Sequence, residues 1–145
     1  MPWADFQRAV DATLASKRLG VPVFARLLVQ HAATAKGAAA LLAHLVAAAN
    51  GWLDQPLQRI YALGAIKNRN VTLTLEYQRG ATAQITWTGA APHGSAVDLM
   101  LVGNHGAAYH DLAALAWDAP AAEPPKDLLA WVQRALESAR PVEAP

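Results

Sequence analysis

The stretch that decides the fold is residues 71–88, which read VTLTLEYQRGATAQITWT. Apolar and polar residues alternate on both sides of the Gln78-Arg79-Gly80 segment, which is the pattern of two β-strands that each bury one face. A three-residue connection that ends in glycine is typical of a bulged antiparallel hairpin. The sequence therefore predicts a β-hairpin with one apolar face and one threonine-rich face.

The polar face of this hairpin carries seven side chains that are not typical of a protein core. One face of an antiparallel sheet is commonly packed on the core, and the other meets either water or a partner. We keep both interpretations of this face, exposure to solvent and contact with a partner. Its members are Thr72, Thr74, Glu76, Thr82, Gln84, Thr86 and Thr88.

Further elements are predicted on both sides of the hairpin. Helical spacing of apolar residues predicts helices over residues 3–19, 37–53 and 126–140, the last after a Pro- and Ala-rich connection over residues 119–125. Strands are predicted over residues 21–30 and 57–63. A second hairpin joins residues 97–102 to 107–111 through Gly103-Asn104-His105-Gly106.

This order of elements predicts one α+β domain over residues 1–145. The helix–strand–helix start, the run of strands and the closing helix favour a mainly antiparallel sheet of about five to six strands, with about three helices on one face.

The composition excludes several classes of function. Hydrophobic residues make up 54% of the chain and charged residues 16%, which excludes a disordered chain. The 12 basic and 11 acidic residues nearly cancel, and no cationic run exceeds Lys17-Arg18, so we expect no nucleic-acid partner. The absence of cysteine fits a reducing compartment, and we expect a cytoplasmic protein. Residues 37–53 are too few to span a bilayer, which needs ~20 residues, so no membrane association is expected.

Three of the five histidines are candidates for ligand binding. His44 lies in the predicted Ala-rich helix, His31 follows the first strand, and His93 lies in a loop between strands. Each also has an alternative interpretation that involves no ligand, as a core histidine or as a loop histidine. No two histidines have the spacing of metal ligands on one element, so no metal site is predicted. The acids and serines show no spacing typical of catalysis.

Five stretches, taken in order, resemble the C-terminal, substrate-side domain of the glucose–fructose oxidoreductase and inositol dehydrogenase (Gfo/Idh/MocA) family. The resemblance implies an α+β fold, a pocket histidine at His44, and a homodimer that packs through the threonine-rich sheet face, most commonly with two-fold symmetry. The stretches are residues 14–23 (LASKRLGVPV), 41–53, 57–62 (LQRIYA), the two predicted hairpins, and 136–141 (LESARP).

The chain departs from the family at the positions that carry its chemistry. It has no Gly-x-Gly-x-x-Gly turn for a dinucleotide. The family's Glu-Lys-Pro lysine has no counterpart. Its Asp-x-x-x-His-x-x-Asp helix has Ala40 and Ala47 where the carboxylates would flank His44. Because no carboxylate orients this imidazole, we predict no catalytic residue and no cofactor.

Three hypotheses follow. The first is a stand-alone, non-catalytic domain that acts in assembly, regulation or small-ligand binding, as a homodimer or in a hetero-complex with a full-length oxidoreductase. The second is a small enzyme or carrier for a sugar-like polar ligand, which His44 contacts together with His31 or His93. The third is a subunit of a split NAD(P)-dependent dehydrogenase, against which the missing carboxylates count.

Overall fold

The computed structural model describes residues 1–117 and 123–145, so the predicted Pro- and Ala-rich connection lies partly outside the described residues. The elements, in chain order, are α1 (Trp3–Ala15), β1 (Pro22–Gln30), α2 (Ala35–Leu53), β2 (Leu57–Ala65), a 3-10 helix (Ile66–Asn68), β3 (Asn70–Tyr77), β4 (Thr82–Thr88), β5 (Ser95–Gly103), β6 (Gly106–Leu115), α3 (Lys126–Glu137) and β7 (Val142–Glu143).

The strands form one sheet in the order β6-β5-β1-β4-β3-β2-β7. Both predicted hairpins are present, as β3–β4 and β5–β6. Strand β1 lies between them, parallel to β4 and antiparallel to β5, and the other described pairs are antiparallel. The predicted α+β class and mainly antiparallel sheet are confirmed.

The sheet has one strand more than the five to six predicted. The addition is β7, two residues long, which pairs with β2. The Arg59 guanidinium on β2 lies between two carboxylates, with Nε 3.2 Å from Glu76 on β3 and 3.3 Å from Glu143 on β7. A two-residue strand is too short to show an alternation of apolar and polar residues, so the sequence did not predict it.

One face of the sheet is covered by the three helices, as predicted. Helix α2 packs on β1 and β4, α3 on β2, and α1 on β6. Leu73, Ile85, Leu27 and Leu99 form one row across β3, β4, β1 and β5, and all four are buried. Burial of each such side chain contributes about 2 kcal/mol to stability. The other face, which we call the open face, carries no helix of the described chain.

Helix α2 is central because its small side chains let it lie close to the sheet. Eleven of its 19 residues are buried, and five of those are alanines. The hydroxyl of Thr34 caps its start by accepting a 3.0 Å hydrogen bond from the Gly37 amide. No helix within residues 1–117 and 123–145 has the length and apolar character needed to cross a bilayer.

Two helices are shorter than predicted because the local backbone ends them. Helix α1 stops at Ala15 rather than at residue 19, since Lys17 adopts a left-handed conformation with φ 61°. Helix α3 stops at Glu137 rather than at residue 140, since Ser138 is extended, three residues before Pro141. Apolar residues continue at helical spacing beyond the ends of α1 and α3, so the spacing did not predict where these helices stop.

The β5–β6 turn offers a matched test of how the α1–β1 connection packs against the sheet. A Cβ atom on Gly103 would lie 2.1 Å from the Leu19 carbonyl oxygen, whereas one on Gly106 would meet nothing within 4 Å. We expect Gly103→Ala to lower the free energy of unfolding by about 2 kcal/mol, because backbone must shift to relieve the overlap. Gly106→Ala should change it by less than about 0.5 kcal/mol. Urea denaturation of both variants measures the difference, and equal effects would contradict the packing.

Candidate functional site

His44 lies on the outward side of α2. The residues at helical spacing on this side are Gly37, Ala40, His44, Ala47 and Gly51, and all are partly or fully exposed while the rest of the helix is largely buried. The imidazole therefore lies half-buried among small residues. Partial burial lowers the pKa of His44, because desolvation penalises the charged ring.

No described side chain or backbone group fixes the orientation of the His44 imidazole. Ala40 and Ala47 carry no polar group, and within the described chain the imidazole accepts or donates no hydrogen bond. A general base needs a fixed tautomer and a partner within hydrogen-bond reach. The described residues therefore give His44 no neighbour with which it would form an acid–base pair.

His31 is held by three contacts at the end of β1. Its Nδ1 lies 2.5 Å from the Ser95 hydroxyl, and its ring lies 5.8 Å from that of Trp117. Its carbonyl accepts a 2.9 Å hydrogen bond from Trp87 Nε1. Partial burial lowers the pKa of His31 as well. These contacts tie β1, β4 and β5 together, which gives His31 a structural role.

The contact between His31 and Ser95 was missed in the sequence because the residues are 64 positions apart. It follows from register, since Gln30 pairs with Ala96 on antiparallel strands and the next pair outward is His31 with Ser95. The contact between His31 and Ser95 could have been predicted only if β1 and β5 were already known to be neighbouring strands.

The three candidate histidines are not brought together by any contact described in the structure. His93 is exposed in the turn between β4 and β5, where the Gly94 amide donates to the Ala91 carbonyl. His44 lies roughly 13 Å along the helix axis from the start of α2, since each residue rises 1.5 Å. Ligand binding by His31, His44 and His93 stays a prediction. In the described chain, no three His, Asp or Glu side chains lie close enough to hold a metal ion.

The open face is where the seven predicted interface residues lie. The register places Thr74 beside Gln84, Thr72 beside Thr86, and Glu76 beside Thr82. The Thr72 and Thr86 hydroxyls are 3.0 Å apart and form a hydrogen bond. Six of the seven are partly buried by their neighbours on the sheet, and Gln84 is exposed.

The face extends beyond the hairpin that revealed it. Strand β1 adds Arg26 beside Gln84 and Leu28 beside Thr86, and β5 adds Met100 and Asp98 in the same two rows. Three large apolar side chains stand out from this face, with relative exposures of 37% for Leu28, 52% for Leu63 and 70% for Tyr109. The open face is therefore broad and mixed, with an apolar part that the hairpin sequence did not reveal.

One corner of the open face is acidic. Asp98 and Asp111 are directly paired on β5 and β6, and both are exposed. They line a depression of about 250 Å³ together with Leu28 and Gln30. No ion pair joins either carboxylate to a cation of the described chain.

Solved structures with a similar fold include several dehydrogenases. A myo-inositol dehydrogenase from Lactobacillus casei, in complex with NAD(H) and myo-inositol, superposes with a TM-score of 0.74 at 15% identity, over 94% of this chain and 58% of that one. A putative myo-inositol dehydrogenase from Sinorhizobium meliloti gives 0.73 at 14% identity, over 97% and 62%.

The chain shares its fold with the C-terminal domain of inositol dehydrogenases of the Gfo/Idh/MocA type. The WlbA dehydrogenase from Bordetella pertussis, in complex with NADH and UDP-GlcNAcA, also matches, with a TM-score of 0.69 at 14% identity over 97% of this chain and 60% of that one. The chain spans about 60% of the length of these oxidoreductases, and less of some others. The predicted resemblance is confirmed at the level of the fold. No family model and no curated protein matches the sequence.

The lowered histidine pKa values predict how stability depends on pH. The unfolded chain binds protons at His31 and His44 near the ordinary pKa of 6.5, whereas the folded chain binds them only at lower pH. The two histidines therefore cost no stability well above pH 6.5, and they destabilise the folded chain increasingly as the pH falls below that value. We expect His44→Gln to show a smaller loss of unfolding free energy between pH 7.5 and pH 5 than the unmodified protein. Urea titrations at both pH values measure this, and an equal loss in the two proteins would contradict a desolvated His44.

Proposed function

We propose that this domain acts in assembly and not in catalysis, and that two copies pack through the open face. The observation that carries the proposal is a seven-stranded sheet with all described helices on one side and exposed leucine and tyrosine side chains on the other. Because Thr72, Thr86 and Asp98 separate these apolar side chains, the proposal rests on the uncovered face as a whole, which must meet either water or a partner.

The dimensions of the face fit an interface of modest size. Six strands spaced about 4.8 Å apart and about seven residues long give a face of roughly 24 Å by 23 Å, or about 550 Å² on each copy. Two copies would bury on the order of 1,100 Å², which is near the lower end for specific complexes. We expect a dimer that dissociates on dilution.

The threonines favour packing over permanent exposure. Because the Thr72 and Thr86 hydroxyls already form a hydrogen bond with each other, removing water from them leaves fewer polar groups unpaired. Leu28, directly beside Thr86, gains from burial against a second copy. The part of the face that carries Thr72, Thr86 and Leu28 is therefore compatible with a dry interface. The exposed charges of Arg26, Asp98 and Asp111 require partners from the second copy or water at the margin of the interface.

The absence of catalysis is proposed from His44. Its flanking positions are alanines, and no described side chain fixes its tautomer. The proposed roles are subunit structure, regulation of an oxidoreductase, or binding of a small ligand. A cytoplasmic location stays a prediction from the cysteine-free composition.

Placing charge at the centre of the open face should separate the two copies. We expect the double variant Thr74→Arg, Thr86→Arg to be monomeric at concentrations where the unmodified protein is dimeric, because four buried, unpaired guanidinium groups would face one interface. Light scattering across a dilution series measures the mass. Circular dichroism checks that the variant remains folded.

The matched control is Gln133→Arg, on the exposed side of α3. It adds the same side chain to the helix side and should leave the dimer intact. Unmodified protein that is monomeric at millimolar concentration would overturn the proposal, as would a dimer that survives the double variant.

A hetero-complex with a full-length oxidoreductase is the second form of the same proposal. A partner with this domain fold would present an equivalent sheet face. Affinity purification from the native host, with the Thr74→Arg, Thr86→Arg variant as the control bait, separates the two forms. An oxidoreductase recovered with the unmodified bait alone supports the hetero-complex, and recovery of the chain alone supports the homodimer.

One observation favours a split dehydrogenase as a second candidate function. The Lactobacillus casei structure holds NAD(H), and this chain covers 58% of that protein. The outward side of α2 has only small residues around His44, which leaves room for another chain. If this candidate is right, NADH fluorescence should change on mixing with the co-purified partner and not with either protein alone. His44→Ala should abolish turnover by that mixture while NADH binding remains.

A further inference from the structure

A cleft of about 980 Å³ lies at the edge of the sheet where β1 begins. Its walls come from the C-terminal ends of α1 and α2, the start of β1, and the turns of the two hairpins. It meets the outward side of α2 only at Gly51, and His44 does not line it. Small-molecule sites are commonly concave and of this size.

The walls of the cleft are held by hydrogen bonds between segments distant in sequence. Asn104 Oδ1 accepts a 2.7 Å hydrogen bond from the Val21 amide. Gln55 Oε1 accepts from the amides of Arg79, at 3.1 Å, and Ala81, at 3.3 Å. Arg79 Nη2 donates to the Asp54 carbonyl at 2.8 Å. These bonds fix the side chains in place without a ligand, so the cleft is pre-formed.

The same bonds leave donor groups available. The side-chain oxygens of Asn104 and Gln55 are occupied, and their NH2 groups have no partner in the described chain. Lys17 also lines the cleft, and its ammonium forms no ion pair with a described residue. The donor groups of the lining residues therefore include two cations, Lys17 and Arg79.

The Asp54 carboxylate is the acidic group of the cleft, and it too is unpaired among the described residues. The ends of α1 and α2, which carry partial negative charge, also line the cleft. Together with Asp54 they provide acceptors for hydroxyl donors. Val21, with a relative exposure of 61%, and Pro22 provide apolar surface in the same cleft.

Lys17 and Asp54 occupy positions where glycine would be more stable. They are two of the three described non-glycine residues with positive φ, at 61° and 50°, and each follows the end of a helix. Glycine is the usual residue at such a position because it avoids the steric cost of a side chain. Charged side chains are present here despite that cost, and both reach the same cleft.

We propose that this cleft binds a small hydroxylated carboxylate. Lys17 and Arg79 pair with the ligand carboxylate, Asp54 accepts hydrogen bonds from its hydroxyls, and the carbon skeleton lies on Val21. The geometry distinguishes this ligand from a neutral sugar, which leaves Lys17 unpaired, and from a simple acid, which leaves Asp54 unpaired. The proposal does not depend on dimerisation.

The test is a titration of the full chain with three hydroxylated carboxylates: D-glucuronate, D-gluconate and D-galacturonate. D-Glucose and acetate serve as controls that each lack one of the two recognised groups. Amide chemical shifts measured by NMR report both affinity and location. We expect at least one of the three to shift the amides of Val21, Arg79 and Asn104 at concentrations at which glucose and acetate do not.

The variants separate recognition from folding. Lys17→Met should weaken binding by about tenfold or more, as expected for the loss of a charge-assisted contact. Lys36→Met, at the exposed start of α2, is the matched control and should leave the affinity unchanged. Lys17→Gly should abolish binding while raising the urea midpoint, since it removes the backbone cost.

Three results would overturn the proposal: no shift with any of the three carboxylates, shifts confined to residues outside the cleft, or unchanged affinity in Lys17→Met. Because the Lys17→Gly variant is expected to be more stable than the unmodified protein, its loss of binding cannot be attributed to unfolding.

Discussion

The structure depends on the insertion of β1 between the two hairpins. Its parallel pairing with β4 joins residues 58 positions apart, as in Leu27 with Ile85, and its antiparallel pairing with β5 joins the second hairpin to the same sheet. Without β1 the sheet would divide into a β4-β3-β2-β7 part and an isolated β5–β6 hairpin, and a hairpin alone is of marginal stability. A strand that is paired on both sides also needs cover on one face, which α2 supplies with its alanines. The covered core, the open face and the cleft all follow from this one strand.

The sequence correctly predicted those features of the fold that depend only on the local pattern of apolar and polar residues. Alternation over residues 71–88 predicted the hairpin and assigned Thr72, Thr74 and Thr86 to one face, which the register confirms. The resemblance of ordered motifs predicted the fold that the solved oxidoreductases share. The ends of α1 and α3 were wrong because they depend on backbone turns at Lys17 and Ser138, which leave no trace in apolar spacing.

The candidate sites were less predictable, because each depends on which distant segments become neighbours. The bond between His31 and Ser95 requires the β1–β5 register, and the apolar part of the open face requires Leu28 to lie beside Thr86. The cleft joins five segments, from α1 to the β5–β6 turn. Composition and motif spacing do not contain such pairings. The alanines around His44 are the exception, since a missing carboxylate can be read directly from the sequence.

The two-residue strand β7 has a consequence for how this sheet can grow. A long, unpaired edge strand is a template for the addition of strands from other chains, and this is a route to aggregation. Here one margin of the sheet ends after two residues, Val142 and Glu143, and the latter is charged. At the opposite margin Pro2, which lacks an amide proton, lies against Ala116 next to the end of β6. Strand β7 pairs with only two of the nine residues of β2, and Pro2 lies beyond the end of the ten-residue β6. Most of each margin therefore offers unpaired backbone of the described chain, and strand addition stands beside stacking of faces as an ordered way for copies to meet.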